Sequence, residues 1–301
     1  MTTCDITVFT PTFNRANLIE RVFSSLQSQT IKNFEWLVID DGSTDNTKLV
    51  LDEFKTKASF PIRYFAKNNA GKVAAINDAL DLANGEWFIV FDSDDWCDSD
   101  ALESISHEIS LLHRSDFYNE YCAISVLKRY VSGEVVGDDY STIDKYGKTY
   151  IDRFNFRIRG DKWEIIRTSM HKNFKYNLAL GERYMAPGYA WLMMGQKYNT
   201  VFINKAYSTI EYQKDGISRN NIIHRSGSPC NAMKYYHFAS ECSRGIFLKW
   251  KSIINYYRFY FHSSRENKIH GGILGFFGFL IYVLDVQKIN LIKSQADKKI
   301  K

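Results

Sequence analysis

Short apolar runs alternate with amphipathic segments over the first 112 residues. Four apolar runs predict strands, at 6–9, 34–39, 62–65 and 87–91. Each is followed by a segment with apolar residues at helical spacing, at 18–26, 43–54, 73–82 and 100–112. Strands that alternate with helices of this length predict an α/β fold with a mainly parallel sheet flanked by helices.

The pattern changes after residue 112. We expect a strand near 126–131, a polar loop over 138–149, a helix over 188–198, and strands or a hairpin over 200–212. From Asn231 onward the chain is helical in pattern and rich in aromatic residues. The expected organisation is therefore one domain over 1–225, with halves at 1–112 and 113–225, and a helical C-terminal appendage over 226–301.

Composition, the first residues and the charge distribution add three expectations. The chain has 301 residues and five cysteines, an odd number with no Cys-x-x-Cys pair, which predicts reduced thiols rather than disulfides or a zinc site. The first residues show no basic and apolar leader pattern, so we expect no secretory signal. Net charge is +5, but from Arg225 onward there are 13 Lys and Arg against 4 Asp and Glu. This basic, aromatic tail predicts contact with an anionic surface.

Polar clusters follow all four predicted strands. They are Thr10 to Arg15, Asp40 to Ser43, Lys67 to Lys72, and Asp92 to Asp95. Because ligands of open parallel sheets bind at the carboxyl ends of the strands, we expect the four clusters to meet at one edge.

Asp92 and Asp94 are the sharpest candidates for a metal site. In an extended chain, side chains two residues apart point the same way, so both carboxylates could face one ion. Hard oxygen ligands suit Mn²⁺ or Mg²⁺, which complete their coordination with phosphate and water. The alternative is a solvated acidic turn before the helix that starts near Asp100.

Asp41 and Lys72 each have a functional and a structural interpretation. A carboxylate at Asp41 can accept an N–H group of a nucleobase, or can simply cap a strand-to-helix turn. Lys72, at the start of a helix, can contact a diphosphate, or can be an exposed surface lysine.

Taken together, these clusters resemble the family 2 glycosyltransferases, which have the Rossmann-like GT-A fold. The resemblance covers about the first 112 residues and rests on Thr-Pro-Thr-Phe-Asn-Arg at 10–15, Asp-Asp-Gly-Ser-Thr-Asp at 40–45, Asn-Ala-Gly-Lys at 69–72, and Asp-Ser-Asp-Asp at 92–95. It implies an inverting transferase that uses a nucleotide-diphosphate sugar, usually a UDP-sugar, with Mn²⁺ or Mg²⁺. The half at 1–112 would bind this donor and the half at 113–225 the acceptor.

The resemblance also implies roles for individual residues. Donor binding would fall to Thr10, Pro11, Thr12, Asn14, Arg15, Asp41, Lys72, Asn77, Asp92, Ser93 and Asp94. Asp94 would be the firmer metal ligand and Asp92 the second. A segment at 212–218 is similar to a loop that closes over the donor in some relatives, although a plain turn explains it equally well.

The general base is where the sequence departs from the family pattern. Family members usually supply the base from a Glu-Asp pair some tens of residues after the metal motif, and no such pair stands in 180–191. Glu182 is the first candidate and Asp161 the second, with Glu164 a further one. Ordinary surface ion pairing is the alternative for all three.

Expected partners follow from the family and from the tail. A glycan or a lipid-linked acceptor fits such enzymes, and surface polysaccharide synthesis is the expected process. The expected location is the cytoplasm, at the inner face of the cell membrane. Residues 246–286 suit an amphipathic region on an anionic membrane, although the apolar run that ends at Asp285 is short for a span. The alternative is helices that pack on the rest of the chain or on a second subunit of a homo-oligomer.

Other functions are less well matched. A catalytically silent nucleotide-sugar binding protein is the main alternative, because the Glu-Asp pair is missing. A nucleotidyltransferase would carry a glycine- and arginine-rich loop after the first strand, and no Gly-x4-Gly-Lys-Ser/Thr motif of P-loop enzymes occurs. No recognised nucleic-acid-binding module is visible, so no nucleic-acid partner is expected.

Overall fold

The computed structural model describes residues 4–213, 221–264 and 271–300. The chain forms two compact units. The first comprises Met1–Lys175 with Met193–Glu211, and the second comprises Tyr176–Leu192 with Tyr212–Lys301.

The first unit is built on a sheet of eight strands within the described residues. In chain order they are β1 (Ile6–Thr12), β2 (Phe34–Asp40), β3 (Ile62–Ala66), β4 (Trp87–Val90), β5 (Trp96–Cys97), β6 (Tyr121–Tyr130), β7 (Lys162–Arg167) and β8 (Asn199–Ile210). Their order across the sheet is β3-β2-β1-β4-β7-β6-β8-β5. The first four strands are mutually parallel, and β7 is antiparallel to both β4 and β6. The predicted α/β class and the parallel strand–helix half are confirmed.

Helices follow the strands as expected. They are α1 (Ile19–Gln27), α2 (Thr47–Lys57), α3 (Lys72–Leu82), α4 (Ala101–His113), α5 (Tyr150–Asn155), α6 (Thr168–Lys172) and α7 (Gly188–Gly195). The first four agree with the predicted segments to within four residues at each end. The expected strands or hairpin at 200–212 are one long strand, β8, which pairs in parallel with β6.

The core explains why the first strands are apolar throughout. Every residue of β1 and β2 is buried, as expected of central strands covered on both faces. The indole Nε1 of Trp36 donates to Thr10 Oγ1 at 2.9 Å, so both polar atoms are satisfied inside the sheet. The buried carboxylate of Glu35 accepts bonds from Thr7 Oγ1 at 2.7 Å and from the Asn84 backbone N–H at 2.8 Å.

The second unit is helical in its C-terminal part. Its helices there are α8 (Asn221–Ser226), α9 (Pro229–Cys242), α10 (Ile246–Ser264) and α11 (Gly272–Ile300). The apolar run ends at Asp285 in the sequence, but the helix that contains it continues past this residue to Ile300. The Asp285 carboxylate is buried and accepts two bonds from the Arg258 guanidinium, at 2.5 and 2.7 Å, so it does not stop the helix. By length and composition alone, Gly272–Ile292 suffices to cross a membrane.

Candidate active site

The four polar clusters lie at one edge of the sheet. Thr12 at the end of β1 is level with Asp40 at the end of β2, and Asp40 is level with Ala66 at the end of β3. Phe9 of β1 is level with Val90, the last residue of β4. Because these strands are parallel, the segments that follow them emerge at the same edge, as the sequence predicts.

Hydrogen bonds join the loop after β1 to the loop after β2. The backbone N–H of Asn14 donates to Ser43 Oγ at 2.8 Å, and the Thr44 N–H donates to Asn14 Oδ1 at 2.8 Å. Asn14 has a φ of 51°, a left-handed conformation that asparagine tolerates better than most residues. Next to it, the Arg15 N–H donates to Thr47 Oγ1 at 3.2 Å. The side chain of Asn14 therefore helps build the site rather than simply facing solvent.

Asp41 connects the second cluster to the third. Its buried carboxylate accepts the Ala70 N–H at 2.8 Å and the Gly71 N–H at 2.7 Å. These two bonds fix the loop that leads into α3, and Gly71 has a φ of 94° there. Each carboxylate oxygen has a second lone pair, so Asp41 retains capacity for another N–H donor.

Lys72 connects the third cluster to the fourth. Lys72 is the first residue of α3, and its Nζ lies 2.5 Å from Asp92 Oδ1 in the segment after β4. Burial opposes ionisation of Asp92, but the positive charges of Lys72 and Lys128 outweigh it and lower the pKa of Asp92. Burial likewise works against the ammonium group of Lys72, and the Asp92 carboxylate raises its pKa. The surface-lysine alternative for Lys72 is therefore wrong.

The acidic segment after β4 turns instead of staying extended. The Asp95 N–H donates to the Asp92 carbonyl at 3.2 Å, so the chain reverses over Ser93 and Asp94, and the extended-strand argument for this pair is wrong. The two carboxylates are nevertheless close enough to interact. Burial, and next the charge of Asp92, raise the pKa of Asp94 above its ordinary value, while Lys72 and Arg15 act in the opposite direction.

This arrangement fits a divalent cation held jointly with a diphosphate. Among the described residues, no group of three or more His, Cys, Asp or Glu side chains could hold a metal. The protein would thus offer the Asp92 and Asp94 carboxylates, and Mg²⁺ or Mn²⁺ commonly completes such a partial set with phosphate oxygens and water. A cation there would oppose the two effects that raise the pKa of Asp94, which are burial and, next, the charge of Asp92.

Thr12 carries an unused polar atom at this edge. Its Oγ1 is buried and makes no hydrogen bond with the described residues. Buried hydroxyl groups are normally paired, so a ligand group is a natural partner for this one. Thr10 differs, because its hydroxyl already accepts the Trp36 indole N–H inside the core. Pro11, between them, is buried.

The sequence analysis does not predict a buried ion pair that joins the acidic turn to β6. Lys128 Nζ of β6 lies 2.8 Å from Asp95 Oδ2, and both side chains are less than one-tenth exposed. Burial raises the pKa of Asp95 to about 6, although Lys128 opposes this increase. A lysine directly after the mostly apolar 121–127 stretch of β6 is the signal that could have indicated the pair.

Asp161 lies at the same edge, directly before β7. Since β7 runs antiparallel to β4, its first residue is beside the end of β4, and the Trp163 indole donates to the Val90 carbonyl at 3.2 Å. Asp161 is exposed, and its charge adds to that of Asp92 in raising the pKa of Lys72. Gly160, with a φ of 87°, fixes the approach, because a Cβ there would lie 2.1 Å from the Val136 carbonyl oxygen.

The other two acidic candidates are engaged elsewhere. Glu164 Oε1 accepts a bond from Arg153 Nη1 at 2.8 Å, and both side chains are at most one-tenth exposed. Glu182 belongs to the second unit, where its two carboxylate oxygens accept the N–H groups of Cys230 and Asn231 at 2.8 Å each. These N–H groups belong to the first turn of α9, so Glu182 caps that helix.

The structure says little about two further predictions, the donor-site role of Asn77 and the closing loop at 212–218. Asn77 is half-buried in the second turn of α3, five residues after Lys72. Most of the expected closing loop at 212–218 lies outside the described residues, because these end at 213 and resume at 221.

Comparison with protein families and curated proteins identifies related chains. The model of the family described as Glycosyl transferase family 2 matches residues 7–167, which is more than half of the chain. Glycosyltransferase GlyA of Streptococcus pneumoniae is 29% identical over 181 residues, covering 60% of this chain and 24% of that protein. The GalNAc(5)-diNAcBac-PP-undecaprenol beta-1,3-glucosyltransferase of Campylobacter jejuni is 30% identical over 207 residues, covering 67% of this chain and 63% of that protein. The chain thus spans less than two thirds of the length of either relative.

A solved structure shares the fold. The S. aureus TarS 1-349 crystal structure in complex with UDP-GlcNAc superimposes with a TM-score of 0.65 and 19% identity. The match covers 87% of this chain and 74% of that one. At this identity the likeness concerns the fold alone, and it agrees with the GT-A architecture.

Proposed function

Because the chain belongs to glycosyltransferase family 2, we propose that it transfers a sugar from a UDP-sugar, with inversion, to a hydroxyl group of a glycan or lipid-linked acceptor. One observation carries this proposal. Hydrogen bonds and an ion pair link the ends of all four parallel strands at one edge, from Asn14 through Asp41 to Lys72 and Asp92. An unused buried hydroxyl at Thr12 and the partly exposed Asp94 carboxylate lie at that edge.

Related proteins support the finer parts of the proposal. The S. aureus structure contains UDP-GlcNAc, which supports a uridine nucleotide. The C. jejuni relative is named for a diphospho-undecaprenol-linked substrate, which supports a lipid-linked glycan as acceptor. Such an acceptor would bring the enzyme to the inner face of the cell membrane and to surface polysaccharide synthesis.

The described side chains suggest how the donor would be held. Thr12 and Asp41 would contact the nucleoside, and Lys72 at the start of α3 would approach the diphosphate with its positive charge. Asp94, with Asp92, would hold Mn²⁺ or Mg²⁺. A bound cation would supply charge neutralisation to the departing diphosphate. The protein would contribute the oxygen ligands and their orientation.

Binding of UDP with metal tests the donor site. UDP plus Mn²⁺ at about 100 times Kd should raise the melting temperature by about 5–10 °C. The Asp94→Ala variant should lose the metal-dependent part of this increase, because it lacks one of the two carboxylates. Asp100→Ala, which removes an exposed carboxylate at the start of α4, should retain it. An unchanged response in Asp94→Ala, or no response in the unmodified chain, would refute the donor and metal assignment.

For the general base, the geometry favours Asp161 over Glu182. Asp161 is exposed at the edge that carries Lys72 and Asp92, whereas both carboxylate oxygens of Glu182 accept amide groups of α9. A base must reach the acceptor hydroxyl and take up its proton, and a free carboxylate can do so.

Two matched substitutions test this assignment. Asp161→Asn should lower kcat by about 100-fold or more with the UDP–Mn²⁺ thermal response unchanged, because general-base catalysis supplies about this factor. Glu182→Ala should instead lower the free energy of unfolding by about 1 kcal/mol through loss of the cap, and should leave transfer within a few-fold. If Glu182→Gln abolishes transfer while Asp161→Asn does not, the role returns to Glu182. If both variants bind UDP and the unmodified chain shows no transfer to any acceptor, the chain is a silent nucleotide-sugar binding protein.

A further inference from the structure

Over residues 273–285, helix α11 exposes large apolar side chains and buries the charged Asp285. Its large side chains are turned outwards, with exposed fractions from 36% to 73%, at Ile273, Phe276, Phe277, Leu280, Val283, Leu284 and Leu291. These seven residues, called here the apolar face of α11, recur at helical spacing. Only 17% of the most apolar 18-residue stretch within Gly272–Ile292 is buried.

The opposite side of α11 packs within the second unit. Gly278 allows close approach to α10, because a Cβ there would lie 2.7 Å from the Cβ of Tyr257. The ring of Tyr282 lies 4.8 Å from that of His262, and the Asp285 carboxylate accepts both bonds from Arg258. Asp285 is therefore inside, where it is 6% exposed, while seven large apolar side chains of the same helix are exposed.

Water would favour the reverse arrangement, because each large apolar side chain that is left exposed forgoes the free energy of burial. Contiguous exposed apolar surface of this kind marks an interaction site. Something apolar must therefore cover this face in the working protein, and the surrounding charge indicates what it is.

The exposed charges at the start of α10, the helix that packs against α11, are positive. Lys249 and Lys251 at the start of α10 are exposed, as are Phe247 at 71% and Trp250 at 44%. Exposed tryptophan and phenylalanine among lysines are typical of segments at the headgroup level of a bilayer. A second copy of the chain would bring a similarly basic region against this one, whereas an anionic lipid surface would attract it.

We propose that the apolar face of α11 is inserted into the surface of an anionic lipid bilayer, at the boundary between headgroups and acyl chains, with the aromatic and basic start of α10 at the headgroups. The helix lies along the surface instead of crossing the membrane, because α10 covers its other side with Arg258 and His262. This inference rests on the residues of the second unit and is independent of the donor site.

Sedimentation with vesicles tests the proposal on the full chain. We expect the unmodified protein to sediment with vesicles of equal parts phosphatidylglycerol and phosphatidylcholine. The triple variant Phe277→Gln, Leu280→Gln, Leu284→Gln should bind at least about tenfold more weakly, because three apolar side chains no longer enter the bilayer. Its circular dichroism and melting temperature should match those of the unmodified chain, because the replaced side chains are exposed.

A matched variant in the first unit provides the control. Leu49→Gln, Phe117→Gln, Val131→Gln removes three comparably exposed apolar side chains, at 67%, 60% and 65%, that lie outside this region. It should sediment like the unmodified chain. Equal loss in the two triple variants, or no sedimentation of the unmodified chain, would overturn the proposal.

The basic residues give a second, separate readout. Lys249→Gln and Lys251→Gln should each weaken binding to the anionic vesicles by roughly fivefold and have little effect with phosphatidylcholine alone. Lys48→Gln and Lys57→Gln, exposed on α2, should have no such effect. A dimer that dissociates in the α11 variant without any vesicle binding would assign the face to a second copy and refute the lipid surface. Because UDP binding is measured separately, failure here leaves the proposed function intact.

Discussion

At the scale of single residues, the buried ion pair between Asp95 and Lys128 holds the acidic turn against strand β6. The two charges are 2.8 Å apart and largely removed from water. A buried pair contributes little net stability relative to an apolar pair, but removing one partner leaves an uncompensated buried charge. The pair therefore ties the turn after β4 to strand β6.

Replacing Lys128 by Met should consequently destabilise the protein. We expect the free energy of unfolding to fall by about 3–5 kcal/mol, and the double variant with Asp95→Asn to recover a large part of this loss. Urea unfolding followed by circular dichroism measures both.

The exposed pair of Lys48 and Asp52 is the comparison for this change. Their charged atoms are 3.1 Å apart, but their side chains are 66% and 44% exposed. Lys48→Met should change the free energy of unfolding by less than about 1 kcal/mol. A loss in Lys128→Met no larger than this would show that the buried pair does not anchor the turn.

At the scale of secondary-structure elements, α6 packs on the sheet through a histidine. His171 is completely buried, and its ring lies 6.0 Å from that of Phe88 in β4, edge to face. Burial lowers the pKa of His171 to about 3, against an ordinary value of 6.5. The folded chain thus keeps this imidazole neutral in a range where the unfolded chain protonates it.

This difference predicts acid sensitivity. The stability that a neutral His171 provides is fully present above pH 6.5 and is lost as the pH falls from 6.5 towards 3, because the unfolded state binds the extra proton. Between pH 7 and pH 4 the loss from this residue should be about 3 kcal/mol. His171→Gln should show a correspondingly shallower decline in the free energy of unfolding, whatever its stability at pH 7.

The same substitution at the exposed His107 of α4 is the control for replacing an imidazole. It should retain the pH dependence of the unmodified chain. If the stability of His171→Gln declines as steeply with falling pH as that of the His107 variant, then His171 does not account for the acid sensitivity.

Local pattern determines which elements could be predicted. The four strand–helix units of 6–113 follow from apolar runs and helical spacing, which are properties of neighbouring residues. The placement of β7 between β4 and β6 is a long-range pairing, and the pattern of 162–167 contains nothing that selects its neighbours. The extended geometry expected at Asp92 and Asp94 is wrong because β4 ends at Val90, before either residue, and the chain turns at Ser93 and Asp94.

At the scale of the whole molecule, the meeting of the four clusters at one edge is predictable because parallel topology alone brings them together. The surroundings of the candidate bases are not, because they depend on contacts between distant segments. Asp161 reaches the edge through the antiparallel β7, and the packing of Gly160 against Val136 fixes its approach. Glu182 is the acid nearest to the family position in the sequence, yet the fold uses its carboxylate at the start of α9.

The cross-bonded loops at Asn14, Ser43 and Asp41 have a consequence for recognition. Their backbone is ordered by bonds within the protein itself, so its conformational entropy is spent during folding and not when a nucleotide arrives. Loops that are preorganised in this way lower the entropy cost of binding a nucleotide in the proposed donor site. Discrimination between nucleobases would then depend on the rigid shape of these loops. Selectivity for the nucleobase should then change little with temperature. Selectivity for the sugar should depend more on temperature, because it would be set by the more irregular segments beyond β4.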